Sequence, residues 1–122
     1  MKRTLLVIGG LLFSCVFYAQ VGINTTSPKA TLDIHALDLT GTAPEGFIAP
    51  RLTGNVLHVA DTNSKYGADQ NGALAYITAP PQVSNQVGQT IDIDEEGYYY
   101  FDSVSNKWVK FRAVPIPHQI LT

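Results

Sequence analysis

The sequence predicts a mainly β-structured protein with one short helix, built as a single small module. Three observations predict this fold class: a strictly alternating segment at 31–36, two aromatic-rich segments at 97–102 and 107–112 that flank a short polar turn, and Gly and Pro residues between the apolar segments. With 122 residues the chain can bury only one core of modest size.

Residues 1–19 predict a secretory signal peptide. Lys2 and Arg3 supply a positive start, and the apolar run at 5–16 is shorter than the roughly 20 residues that a membrane span needs. Cleavage after Ala19 leaves Gln20 as the first residue, whereas a lipoprotein signal would instead lead to acylation of Cys15. We expect cleavage after Ala19, a protein that is secreted or held at the cell surface, and no membrane span.

The composition of the mature chain excludes several functions. Cys15 is the single cysteine, so removal of the signal peptide leaves no disulfide, thiolate metal site or cysteine nucleophile. Loss of Lys2 and Arg3 leaves 6 basic residues against 10 acidic ones, a net charge of −4 with no basic patch for nucleic acid. A small core without disulfides favours a homo-oligomer, because assembly adds buried surface.

The N-terminal strand segment at 20–36 begins with the extended piece VGI and a turn at 24–28. The following residues alternate, with Leu32, Ile34 and Ala36 on one face of the predicted strand and Thr31, Asp33 and His35 on the other. This strand lacks an adjacent hairpin partner in the sequence. We therefore expect its backbone and its apolar face to pair with sister chains.

A small β-rich domain with its helix is predicted at 37–112, beginning with a loop at 37–47. Thr53 predicts the N-cap of a helix at 53–61 that buries Val56, Leu57 and Ala60 on one face and turns Asn55 and His58 away. A second strand is expected at 73–78, and a polar surface loop, mobile or irregular, at 82–90.

A β-hairpin closes the predicted domain, with the sequences GYYYFD and KWVKFR around a turn at 103–106. Tyr98 and Tyr100 lie on one face of its first strand, and Tyr99 and Phe101 lie on the other, so both faces carry large rings. The segment at 113–122 is predicted as an extended C-terminal arm, because Pro115 and Pro117 prevent a central strand.

Three blocks resemble a family of secreted surface proteins of Gram-negative bacteria that share segments with phage tail fibres. VGINTTSPKATLDI at 21–34 resembles the family pattern V-G-I-G-T-x-x-P-x-A-x-L-D-V, with Asn24 where Gly is commoner. The block at 46–78 is similar to a Pro-Arg-Leu-Thr-Gly step followed by a helix and a Gly-x-Leu-x-Tyr strand, and the block at 97–111 to an aromatic hairpin ending in Lys-Trp. The resemblance implies a β-rich, non-enzymatic, often trimeric, fibre-like module.

No catalytic, cofactor-binding or metal site is predicted. Asp92, Asp94, Glu96 and Gly97 imitate the start of a calcium loop, but Ser103 stands where the closing Glu belongs, which favours a solvated acidic loop. The three histidines are far apart and have no metal-ligand spacing. No nucleophile elbow is present either, so we expect the protein not to be an enzyme.

Two functions remain as hypotheses. The first is a non-catalytic structural or interaction protein, tail-fibre-like or adhesin-like, that forms a homotrimer on the cell surface and contacts a surface glycan or protein. The alternative is a monomeric carbohydrate-binding module, because Tyr98, Tyr100 and Trp108 could stack on sugar rings. The aromatic residues of the hairpin favour a core role more strongly, since each large ring buries about 150–250 Å² in a small domain.

Overall fold

The structure, a computed structural model, describes residues 2–4 and 19–112. Most of the predicted signal peptide and the predicted arm at 113–122 lie outside these residues. Packing divides the chain into two compact units, residues 1–46 and 47–122, which are described separately below. Residues 19–112 are mainly β-structured with one short α-helix, as predicted. The division into an N-terminal strand segment at 20–36 and a β-rich domain at 37–112 stays a prediction.

The first unit contains two strands, β1 (Val21–Ile23) and β2 (Leu32–Ile34), that pair in parallel. Val21 lies opposite Leu32, and Ile23 lies opposite Ile34. β2 has no hairpin partner, as the sequence indicated, but one edge of its backbone pairs with β1 of the same chain, where pairing with sister chains was expected. The connection at 24–31 is short for a parallel pair, since parallel strands usually need a dozen or more connecting residues.

Two residues make this short connection feasible. Asn24 has a left-handed backbone with a φ of 59°, a conformation that Asn tolerates better than most residues, and its Nδ2 donates to the carbonyl oxygen of His35 at 3.1 Å. A Cβ at Gly22 would lie 2.4 Å from the carbonyl oxygen of Thr25. The left-handed backbone explains why Gly is commoner than Asn at position 24 in the pattern that this segment resembles.

A loop at 37–46 completes the first unit and is organised by two carboxylates. Asp38 accepts hydrogen bonds from the backbone N–H groups of Thr40 and Ala43 and from the hydroxyls of Thr40 and Thr42. Glu45 accepts the N–H groups of Leu37 and Asp38. The loop has no helix or strand, as predicted, yet its carboxylates satisfy much of its backbone.

The second unit contains a four-stranded sheet in the order β3-β4-β5-β6. Its strands are β3 (Arg51–Leu52), β4 (Leu74–Ile77), β5 (Gly97–Asp102) and β6 (Lys107–Lys110). β3 pairs in parallel with β4, and the other pairs are antiparallel. The predicted second strand and the hairpin are confirmed. β3 is not among the predicted strands, because only two residues separate Pro50 from the helix N-cap Thr53.

Helix α1 (Gly54–Thr62) lies where the sequence predicts a helix, and the Thr53 side chain accepts the N–H of Val56 at 3.2 Å as its N-cap. The predicted buried face is partly wrong. Gly54 and Leu57 are buried and His58 is half-buried, whereas Val56 is 50% exposed. The predicted face follows the apolar side chains alone, but Gly54 has no side chain and allows a different face to approach the chain at Pro80 and Pro81.

Residues 82–90 are not the irregular surface loop that their polar sequence predicted. They form two short 3-10 helices, Val83–Asn85 and Gly88–Thr90, and bury Gln89 and Thr90. Gln89 donates its backbone N–H to Asp61 of α1 and its side-chain Nε2 to the Tyr66 carbonyl. Internal hydrogen bonds of this kind allow polar residues to be buried, and they attach the segment to the helix.

The core of the second unit lies between the sheet, α1 and the segment at 88–93. Three large aromatic side chains dominate it, and the Tyr66 ring packs edge-on against Trp108 with centroids 4.8 Å apart. The prediction that the hairpin rings form the core is confirmed for Tyr99, Phe101 and Trp108 and not for Tyr98 and Tyr100. The buried members are Leu57, Ala75, Ile77, Ile93, Tyr99, Phe101 and Trp108.

We expect Gly54→Ala to destabilise the second unit although it raises helix propensity. The added Cβ would lie 2.3 Å from Cδ and 2.4 Å from the backbone N of Pro81, so the contact between helix and Pro81 must open. Overpacking of this kind costs about 1–3 kcal/mol, measurable by urea unfolding. The matched control is Gly67→Ala, whose nearest neighbour is 4.0 Å away. Equal stability of the two variants would contradict the predicted clash.

Acid should weaken the loop at 37–46. Hydrogen bonds from the Thr40 side chain and backbone, and then from Thr42, hold the pKa of Asp38 far below its usual 3.8. Because the folded pKa is depressed, the stabilisation is complete above about pH 4 and is lost as the pH falls through the folded pKa. Asp38→Asn should therefore lower the unfolding midpoint at pH 7 and progressively less below pH 4. A difference between variant and wild type that stays constant from pH 7 to pH 3 would contradict this assignment.

Candidate functional site

The parallel pair β1–β2 presents an uncovered apolar surface. Residues in register on parallel strands point to the same side, so Val21, Ile23, Leu32 and Ile34 share one face. These four side chains are 53%, 45%, 51% and 37% exposed, respectively. We call them the apolar face. A two-stranded sheet with such a surface has no core of its own.

The other side of β1–β2 is polar. Asp33 accepts the backbone N–H of Lys29 at 2.8 Å and lies 3.2 Å from Nε2 of His35. The Lys29 hydrogen bond, and then the neighbouring His35, lower the pKa of Asp33 below its ordinary value. This side therefore meets its own hydrogen-bonding needs in water, whereas no side chain among residues 19–46 covers the apolar face.

The sheet of the second unit separates the three residues that the sequence proposed as ligand contacts. Tyr98 and Tyr100 point to one side of β5, while Trp108 of β6 points to the other side, next to Phe101. Trp108 is only 1% exposed, so its ring cannot offer a face to a sugar. The structure thus leaves Tyr98 and Tyr100 as accessible aromatic residues, and ligand contact at these two stays a prediction.

Tyr98 and Tyr100 belong to a larger surface, which we call the open face of the sheet. The Tyr76 and Tyr98 rings meet edge-on with centroids 4.9 Å apart, and the Tyr100 and Phe111 rings are 5.3 Å apart. Burial, and then the nearby Glu96 carboxylate, raise the pKa of Tyr76. The open face consists of Leu74, Tyr76, Tyr98, Tyr100, Val109 and Phe111, all half-buried or exposed.

The acidic segment at 92–96 is paired with the basic residues near β6. Asp92 binds Lys107 at 2.8 Å, Glu95 binds Lys110, and Asp94 accepts two hydrogen bonds from Nη2 of Arg112 at 2.9 and 3.1 Å. The Arg112 hydrogen bonds lower the pKa of Asp94. Of the three acids that could begin a calcium loop, Asp92 and Asp94 thus form ion pairs with basic side chains, and Glu96 lies near Tyr76.

Nothing in the part of the chain that the structure describes gathers three His, Cys, Asp or Glu side chains around a common metal position. His35 is exposed beside Asp33, His58 is half-buried on α1, and His118 lies outside the described residues. A cleft of about 480 Å³ lies along β6, lined by the ion-paired Asp94 and Arg112 together with Gln86, Ile91, Asp92, Val109 and Lys110. Asp94 and Arg112 pair within the cleft, while Asp92 and Lys110 pair with Lys107 and Glu95, which do not line it.

The sequence predicts β2 as one strand of the apolar face, but it does not identify β1 as the partner of β2. The signal was present in the matching pairs Val21-x-Ile23 and Leu32-x-Ile34, which alternate in the same way. It missed the remainder of the open face entirely, because Leu74, Tyr76 and Phe111 become neighbours of the tyrosines only through strand pairing.

Comparison with known proteins identifies the family. No curated protein and no solved structure matches this chain. Within residues 2–4 and 19–112, no helix has the length and apolar character needed to span a membrane. A family model described as a phage tail like trimerisation region matches residues 22–120, which include β1 except for Val21, all of β2 and the whole four-stranded sheet of the second unit. The chain is therefore a member of the phage tail like trimerisation region family.

Proposed function

We propose that this protein is a non-catalytic, tail-fibre-like structural module that forms a homotrimer through the apolar face of β1–β2. The observation that carries the proposal is the exposure of all four apolar side chains on one side of a two-stranded sheet. Family membership supports the same conclusion, because the matched region is described by trimerisation and begins at Gly22 within β1.

The energetics favour assembly through this face. A two-stranded sheet is at best marginally stable in water. Full burial of a Val, Leu or Ile side chain contributes about 1.5–3 kcal/mol, and roughly half of each side chain on the apolar face is still available for burial. Four such side chains per chain make assembly the main source of stability for the first unit.

A threefold arrangement suits the shape of this surface. Each sheet has only two strands of three residues, so one chain offers a narrow apolar stripe and two open edges. Three stripes around a common axis can each contact both neighbours, which closes the assembly without leaving an unpaired apolar surface. The polar side with Asp33 and His35 then faces outward.

We further propose that the protein acts outside the cell, secreted or at the surface of a Gram-negative bacterium. The predicted signal peptide and the resemblance to secreted surface proteins support this localisation. The loop at 37–46, which is exposed and held by Asp38, would be presented three times per assembly. Repeated display strengthens weak binding to a surface glycan or protein without any new contact, as an adhesin requires.

The alternative of a monomeric carbohydrate-binding module has weaker support. It relied on Trp108 together with Tyr98 and Tyr100, and Trp108 lies buried on the opposite side of the sheet. Tyr98 and Tyr100 alone retain the aromatic surface that such a function would need.

The double variant Leu32→Asp/Ile34→Asp should dissociate the assembly. Carboxylates in the apolar face would have to be desolvated without partners, which costs more than the interface contributes. Sedimentation of the purified protein at micromolar concentration should give the mass of three chains for wild type and of one chain for the variant. Far-UV circular dichroism of both proteins should show the same β-sheet signal from the second unit.

Val104→Asp is the matched control, because Val104 is 92% exposed in the hairpin turn and should leave the mass unchanged. A one-chain mass for the wild type, or a three-chain mass for the double variant, would contradict the proposed interface.

The intact mass of the protein purified from its native cells tests the proposed export. Cleavage after Ala19 predicts a chain that begins at Gln20. An acylated chain beginning at Cys15 would instead support a lipoprotein, and an uncleaved Met1 would contradict export by this signal.

A further inference from the structure

Gln20 lies at the exposed start of β1. It directly precedes Val21, the first residue of the strand, and is itself outside any helix or strand. The backbone N–H of Val21 donates to the carbonyl oxygen of Thr31 at 2.8 Å, so the sheet holds the chain from residue 21 onward. Gln20 is therefore accessible to solvent next to a fixed strand.

The proposed cleavage after Ala19 changes the chemistry of this residue. In the uncleaved chain the nitrogen of Gln20 belongs to the peptide bond with Ala19 and is not nucleophilic. Cleavage converts it to a free α-amine within the same residue as an amide carbon, Cδ of the side chain. Attack of this amine on Cδ closes a five-membered ring, which has little strain.

We propose that Gln20 of the mature chain is a modification site that is converted to pyroglutamate. The α-nitrogen forms a bond to Cδ, and the bond between Cδ and Nε2 breaks. The side-chain nitrogen leaves as ammonia and takes the proton that the amine releases. No atom is oxidised or reduced, and no co-reactant is consumed. This inference rests on the proposed cleavage after Ala19.

The modification removes a charge from one end of the apolar face. Val21 belongs to that face, and its side chain is 53% exposed. A free α-amine is mostly protonated at neutral pH, so an ammonium group would directly precede Val21 in each chain. In the proposed homotrimer, symmetry places the three ammonium groups at the same end of the assembly, where like charges repel. The lactam is neutral and does not oppose assembly.

The intact mass of the protein purified from its native cells tests the modification. Conversion predicts a chain that begins at residue 20 and is lighter than the unmodified chain by one ammonia. The matched control is Gln20→Asn from the same cells, because the same attack would close a strained four-membered ring. Edman degradation should be blocked in the wild type and should read the variant from its first residue.

The masses also separate this inference from the proposed export. A wild-type chain that begins at Gln20 with its full mass, or an equal loss of ammonia in both proteins, would overturn the modification and leave the export intact. A chain that begins at any other residue, such as Met1 or Cys15, would overturn the modification together with the cleavage on which it rests.

Sedimentation of the two proteins tests the consequence for assembly. At low salt, the ammonium group of Gln20→Asn should weaken the association of three chains about tenfold relative to the wild type. The difference should shrink at high salt, because ions screen exposed charges. Equal association at low salt, or a wild type that sediments as one chain, would overturn this effect on assembly, whereas the intact mass decides the modification itself.

Discussion

The alternation of large rings along β5 is the constraint on which the rest of the second unit depends. Tyr99 and Phe101 point to one side and join Trp108 in the core, whereas Tyr98 and Tyr100 point to the other. In a sheet of only four short strands, one layer of helix and loop can cover one face. The same strand therefore supplies rings both to the core and to the half-exposed aromatic surface on the opposite face.

The first unit shows the same shortage of apolar material in a more extreme form. β1 and β2 satisfy each other's backbone along one edge, and Asn24, Asp33 and Asp38 satisfy much of the rest. Hydrogen bonds thus define the local shape, but they contribute little net stability in water. A unit that is well defined in shape and deficient in burial is suited to assembly, which agrees with membership of a trimerisation family.

Ion pairs lie along the β6 edge of the second unit, outside its apolar core. Lys107, Lys110 and Arg112 meet the acids at 92–95 along the edge strand β6. Exposed pairs of this kind stabilise little individually, yet they place charges along an edge that would otherwise pair with another sheet. The acids of the segment at 92–95 thus lie in ion pairs with residues of β6 and with Arg112.

The sequence by itself determined those features that depend on neighbouring residues. The period of two along 97–101, the capping oxygen of Thr53 and the turn at 103–106 are local, so the hairpin and the helix were predictable from them. Only the tertiary structure decided which partners these elements meet. The parallel pairing of β1 with β2 and the burial of Gln89 bring together residues that are apart in the chain. The placement of Trp108 and Tyr98 on opposite sides of the sheet depends on the register of β5 and β6. Such contacts depend on the free energy of the whole fold, which no local pattern contains.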